Sequence, residues 1–243
     1  MKVLILAAGR RDPNVTDSYP VWLAEFGRQP LIESLLERMK SLGNPSLHVA
    51  LRSSELSKFH LDNIIRLIDN EAKIIRVEND TFGATCTALL AIDHIDGDEE
   101  LLIVNGDELV DVPLGPVLDG FRAAGYAAGT LTFPSVHPRY SYVRLDSDGM
   151  VIEAAEKRPI SRHATAGVYW FEHGSDFVAA AKNQIRNRDA VEGLYYICPS
   201  LNDLILRGLP VGSFAFAARD YHPLKTERQV DSYSNSLERP AGE

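Results

Sequence analysis

Short apolar runs at residues 3–6, 47–51, 73–77 and 101–104 are separated by stretches of helical periodicity, and this alternation leaves the first hundred residues very few ways to fold. Val3-Leu4-Ile5-Leu6 contains no polar residue, so it reads as a strand buried on both faces. Such a strand needs a sheet with helices on either side. Between the runs, residues 30–42 place Leu31, Leu35, Met39 and Leu42 on one stripe, with Pro30 in the first turn and Gly43 as the stop. Helices are expected likewise over 55–68 and 83–94. Strand and helix repeated at this spacing imply right-handed crossovers and parallel pairing, with ligands beyond the carboxyl ends of the strands.

The second half changes character. Strands are expected at 126–133, 165–171 and 211–217, and helices at 175–185, 199–206 and 227–237. Residues 141–146 and 150–154 flank Asp148-Gly149, a strong hairpin turn. The expected fold is therefore α/β: a mostly parallel Rossmann-like sheet flanked by helices, with an antiparallel hairpin excursion in the second half. No Pro- or Gly-rich linker interrupts the chain, so a single domain over 1–238 is expected, followed by a frayed tail at 239–243.

Hydrophobic residues make up 45% of the chain and charged residues 24%, which excludes disorder and fibrous structure. The formal net charge of -9 offers no surface for nucleic acid or an anionic membrane, so any phosphate must be held by a few well-placed cations. Cys86 and Cys198 cannot build a disulfide framework, and the seven histidines show no pair at metal-ligand spacing. No apolar run approaches the roughly 20 residues that span a bilayer, and residues 3–8 are too short for a signal peptide. A cytoplasmic, reducing setting is expected.

Two strand ends carry chemistry. Leu6-Ala7-Ala8-Gly9 ends a buried strand in small residues, which lets a nucleotide approach the backbone, and Arg10 and Arg11 follow with guanidinium groups suited to phosphates. The same residues also read as a core strand leading into a solvated basic turn. Leu101-Leu102-Ile103-Val104-Asn105-Gly106-Asp107 delivers a carboxylate at the end of another buried strand, a placement suited to Mg²⁺ shared with phosphate oxygens. Asn105-Gly106-Asp107 as an ordinary turn is the competing reading.

An opening Leu-Ala-Ala-Gly, a helix starting Pro30-Leu31-Ile32-Glu33, Asn105-Gly106-Asp107, and Glu156-Lys157 ahead of Ala164-Thr165-Ala166-Gly167-Val168-Tyr169 together resemble the sugar-phosphate nucleotidylyltransferases, the group that includes glucose-1-phosphate thymidylyltransferase. The resemblance covers about residues 1 to 235. It implies a reaction in which an acceptor phosphate attacks the α-phosphorus of a nucleoside triphosphate and releases pyrophosphate, in the service of capsule or lipopolysaccharide precursor synthesis. It also implies that Ala7, Ala8, Gly9, Gly83, Ala84 and Gly106 hold the nucleotide, and that Asp107 and Asp220 bind Mg²⁺. Arg10, Arg11 and Lys157 would act on the phosphates, with Tyr142, Glu156 and Gly167 around the acceptor. The partners implied are a nucleoside triphosphate and a phosphorylated small molecule, with no nucleic acid and no membrane, and homo-oligomers remain open.

Each of the later positions has a plainer alternative. Glu156-Lys157-Arg158 also reads as a charged strand exit, and Asp220 as a turn cap. The chain departs from the family's pattern in two places. Arg10 and Arg11 stand where the loop usually continues with a glycine and then an arginine, and Val21 follows Pro20 where a lysine is usual. The alternative is therefore a nucleotide- or sugar-nucleotide-binding protein of the same fold with little or no turnover.

Overall fold

The computed structural model describes residues 1–9, 20–26 and 29–238. In chain order the elements are β1 (Lys2–Leu6), β2 (Glu25–Phe26), β3 (Gln29–Pro30), α1 (Leu31–Lys40), β4 (Ser46–Arg52), α2 (Ser53–Phe59), α3 (Leu61–Ile68) and β5 (Lys73–Val77). There follow α4 (Ala84–Leu89), α5 (Ile92–Ile95), β6 (Leu101–Asn105), β7 (Glu108–Val110), α6 (Leu114–Ala123), β8 (Ala128–Pro134), β9 (Ser141–Leu145) and β10 (Val151–Glu156). The last are β11 (His163–Phe171), α7 (Gly174–Arg186), α8 (Ile197–Leu206), β12 (Val211–Ala215), β13 (Tyr221–Pro223) and α9 (Glu227–Glu238).

Nine strands form one sheet, in which β5, β4, β1 and β6 lie side by side and run parallel. Strand β1 is central: Leu6 pairs with Ala50 on one side and with Asn105 on the other. The chain leaves β1 toward β4 and β5, then returns to its opposite edge as β6. That reversal opens a crevice beyond the carboxyl ends of β1 and β6, where ligands of open α/β sheets bind. The antiparallel part extends beyond the expected hairpin. Strand β11 pairs antiparallel with β6, β8 and β9, β9 continues to β10, and β12 adds parallel to β8.

Side chains of β1 alternate between two cores. Val3 and Ile5 face α1, α3 and α6, while Leu4 and Leu6 face α4, α7 and α8. Helix α1 buries Leu31, Ile32, Leu35, Leu36 and Met39. Burying five such side chains contributes roughly 8–15 kcal/mol before the entropy of ordering the helix is subtracted. The helix stops at Lys40 with Ser41 as its cap, short of the expected Leu42, and Gly43 at φ 91° turns the chain that follows toward β4.

Two expected helices are each broken. Residues 55–68 divide at His60, whose φ of 53° stops α2 and starts α3 on a new axis. Residues 83–94 divide into α4 and α5 at Leu90 and Ala91. Helix α6, absent from the expected elements, does carry an apolar stripe at Leu114, Val117, Leu118 and Phe121, but Gly115, Pro116 and Gly120 interrupt it with poor helix formers. Among the described residues no helix is long and apolar enough to cross a membrane.

Candidate active site

A cavity of about 1300 Å³ opens at the β1–β6 crevice. Its walls include Ala8, Gly9, Gly83, Ala84, Asp107, Glu156, Lys157 and Gly167, so residues expected to share a site do converge. Ala7 is fully buried beneath them. The main-chain N–H of Gly106 donates to the Leu6 carbonyl at 3.0 Å, locking the two strand ends together. A Cβ on Gly106 would lie 2.8 Å from the Trp22 ring, so the position must be glycine for Trp22 to close over it. Trp22 in turn donates its indole N–H to the buried Glu55 carboxylate at 3.1 Å. Arg52 holds Gly9 by donating to its carbonyl at 3.0 Å while pairing with Asp80 at 2.8 Å.

Gly83, also on the cavity wall, has a φ of 108°, and a Cβ there would come within 2.3 Å of the Tyr195 carbonyl oxygen. The backbone of Tyr195 is bonded on both sides of that contact, to Phe82 and to Thr85. A bare, rigid wall results. It suits the flat face of a base.

The charged centre lies at the end of β6. Burial pushes the Asp107 carboxyl up to about 6, against the pull of the nearby Lys225 ammonium. Lys225 Nζ stands 3.0 Å from Glu108 Oε1 and 3.7 Å from Asp107 Oδ2. Burial works against its charge, but Glu108 and Asp107 outweigh it and hold the ammonium protonated. Glu108 is almost wholly buried and also accepts from Asn105 Nδ2 at 3.5 Å. Gly167, at φ 63° where the β11 register shifts, passes directly against both side chains.

On the far wall, Glu156 is buried and accepts a hydrogen bond from the Ser141 hydroxyl. Desolvation raises its carboxyl above the usual range, partly offset by Ser141 and Lys157. Lys157 has a left-handed backbone, φ 52°, which turns its side chain out of the strand direction. Its ammonium pairs with Glu192 and lies 5.5 Å from the Tyr196 ring centre. Glu192 and Tyr196 raise its pKa, with Glu192 dominant.

Other expected residues lie elsewhere. Asp220 is not among the residues lining the cavity. It ends a short 3-10 turn before β13, and antiparallel pairing of β13 with β7 carries it to Asp111, whose N–H donates to the Asp220 carbonyl at 2.8 Å. Its carboxylate faces Arg219 at 3.6 Å. Asp107 and Asp220 therefore do not meet as a metal pair. Tyr142 is fully buried and donates to the His137 carbonyl at 2.7 Å, because successive strand residues face opposite sides and its neighbour Ser141 takes the cavity side. Arg10 and Arg11 lie outside the described residues.

Lys225, Tyr140, Ser141, Tyr196 and Tyr221 also line the cavity. Of these, only Tyr140 and Ser141 carry a sequence signal, through their place at the hairpin start. The donor set fits a divalent cation held by Asp107 together with phosphate oxygens, which is the sparse coordination usual at nucleotide sites. It does not fit a centre built from Asp107 and Asp220. Among the described residues no three His, Cys, Asp or Glu side chains gather to hold a metal by themselves.

Solved structures share this architecture. The nucleoside-diphosphate-sugar pyrophosphorylase from Vibrio cholerae RC9 superposes with a TM-score of 0.78 at 18% identity, covering 97% of this chain and 100% of that one. A UDP-glucose pyrophosphorylase complexed with UDP-glucose superposes with a TM-score of 0.75 at 17% identity, covering 97% of each chain. At these identities the likeness establishes the fold. A sequence model described as nucleotidyl transferase matches residues 2–201, most of the chain, a span that includes Ala8, Gly83, Asp107 and Lys157. The chain belongs to the nucleotidyl transferase family.

Proposed function

We propose that the protein joins a nucleoside triphosphate to a sugar phosphate or a related small phosphate, releasing pyrophosphate. The observation that carries this reading is the Asp107 carboxylate at the end of β6, which lines one cavity together with the glycine-bearing wall at Gly83 and the Lys157 ammonium. A phosphate oxygen of the acceptor attacks the α-phosphorus. The bond from that phosphorus to the bridging oxygen breaks, and its electron pair leaves with pyrophosphate. Such chemistry asks the protein chiefly for positioning and charge neutralisation.

In this reading Ala8 and Gly9 let the triphosphate lie against the backbone, and Gly83 and Ala84 border the base. Lys157, on its turned backbone, exchanges Glu192 for the acceptor phosphate, and Glu156 and Gly167 shape the acceptor side. Asp107, with phosphate oxygens, would hold Mg²⁺, which would neutralise charge on the triphosphate. We assign the activity to a single cytoplasmic domain over residues 1–238 that supplies nucleotide-activated precursors for capsule or lipopolysaccharide.

Pyrophosphate release, measured over a panel of triphosphates and phosphorylated acceptors, tests the proposal. Turnover with at least one pair is expected. Asp107→Asn should lower it by roughly 10²–10³-fold or more with an unchanged far-ultraviolet spectrum. Triphosphate binding without turnover for any pair would instead make this a binding protein of the same fold.

A further inference from the structure

Residues 20–26, which close over the triphosphate side of the cavity, contain no lysine or arginine. Of the cavity's cations, Arg52 is held to Gly9 and Asp80, and Lys157, paired with Glu192, lies on the acceptor wall. At the end of β6, by contrast, an ammonium has been brought in from the far end of the chain. The Leu224 N–H donates to the Asp107 carbonyl at 2.8 Å, which places Lys225 beside the acid it must reach. Gln229 Oε1 then accepts from the Lys225 N–H at 2.9 Å and from the Thr226 N–H at 3.1 Å, capping the start of α9 and fixing the lysine backbone. The backbone is pinned while the four-carbon stem remains free to swing.

An ammonium has three N–H donors. The 3.0 Å contact to Glu108 uses one, and Asp107 at 3.7 Å attracts the charge from beyond hydrogen-bond range. Donors therefore remain for oxygens arriving from the cavity, which Lys225 lines and into which its side chain is half exposed. Two adjacent carboxylates without this cation would repel a polyanion. With it, they hold a cation in readiness for one.

We propose that Lys225 is a phosphate-binding cation of the nucleotide subsite, supplied by the β7–β13 ribbon and held in place by Asp107 and Glu108. This rests on the nucleotidyltransfer reading above. Its ammonium contacts phosphate oxygens of the triphosphate directly, alongside any divalent cation on Asp107. Part of the affinity for triphosphate is then independent of metal.

Titration calorimetry with ATP, CTP, GTP, UTP and dTTP, in EDTA and again in Mg²⁺, tests this on the intact chain. Wild-type protein should bind at least one triphosphate in EDTA. Lys225→Met should weaken that binding roughly ten- to a hundredfold, as expected for loss of a charge-assisted hydrogen bond, and flatten its dependence on KCl. Lys225→Arg should stay within about threefold, since it retains the charge. Lys225→Gln carries the same comparison if thermal melts show that the methionine variant does not fold. Unchanged affinity and salt dependence in the uncharged variants would overturn the assignment while leaving the nucleotidyltransfer reading standing. A wild-type protein that binds no triphosphate in either buffer would overturn both.

Discussion

Gly167→Ala isolates what the close passage of β11 past the charged centre contributes. At φ 63° an alanine costs about 1–2 kcal/mol in backbone conformation alone. Its Cβ would also lie 2.5 Å from Asn105 Nδ2 and 2.7 Å from Glu108 Oε2, so both side chains must shift, and Glu108 is buried. Overpacking of this kind adds about 1–3 kcal/mol. Gly149→Ala is the control. Its φ is 82°, but a Cβ there meets nothing within 4 Å, so it carries the backbone cost only. The two variants should therefore differ by about 1–3 kcal/mol, or about 2–12 °C in Tm for a chain of this size. Differential scanning calorimetry reads the difference, and pyrophosphate release should fall in Gly167→Ala alone as Glu108 and Lys225 are displaced. Equal melting temperatures would refute the claim that Gly167 is required for room as well as for conformation.

Two further substitutions bear on the acceptor wall. Lys157→Met should raise the acceptor KM roughly ten- to a hundredfold while leaving the triphosphate KM near its original value, and Glu192→Gln, which frees the ammonium, should lower the acceptor KM; initial-rate kinetics check both. Burial raises the Glu156 carboxyl above the ordinary value of 4.5, so the folded state takes up a proton before the unfolded state does and wild-type stability rises as pH falls. Glu156→Gln, which keeps an acceptor for Ser141, should be the more stable protein at neutral pH. Its advantage should shrink toward pH 4.5, and urea titrations across that range measure it.

The parallel core was legible because a strand buried on both faces leaves a run of apolar residues that nothing else explains, as at Val3 to Leu6 and Leu101 to Val104. The helix breaks were not, since His60 and Leu90 carry no Gly or Pro signal and are set by how the following helix packs. Asp107 was legible because a local run of buried residues delivers it to the strand end. Asp220 and Lys225 were not. Their positions depend on pairing between β7 and β13, two three-residue strands that leave no periodicity to read. Tyr142 shows a finer limit, because one step of strand alternation decides between cavity and core, and composition at the hairpin start does not fix that register.

The β7–β13 ribbon also dates the site. Strands β1, β4, β5 and β6 are all complete by residue 105, yet Lys225 lies 118 positions after Asp107. At roughly 5–20 residues per second, a ribosome delivers the lysine about 6–24 s after the aspartate. During that interval a nascent chain has the means to assemble its parallel core while two neighbouring acids at the crevice wait without their counter-ion. A chain interrupted before residue 221 would lack the ribbon altogether, and with it the contact from Leu224 to Asp107. A segment made well after the parallel strands thus completes the crevice they open.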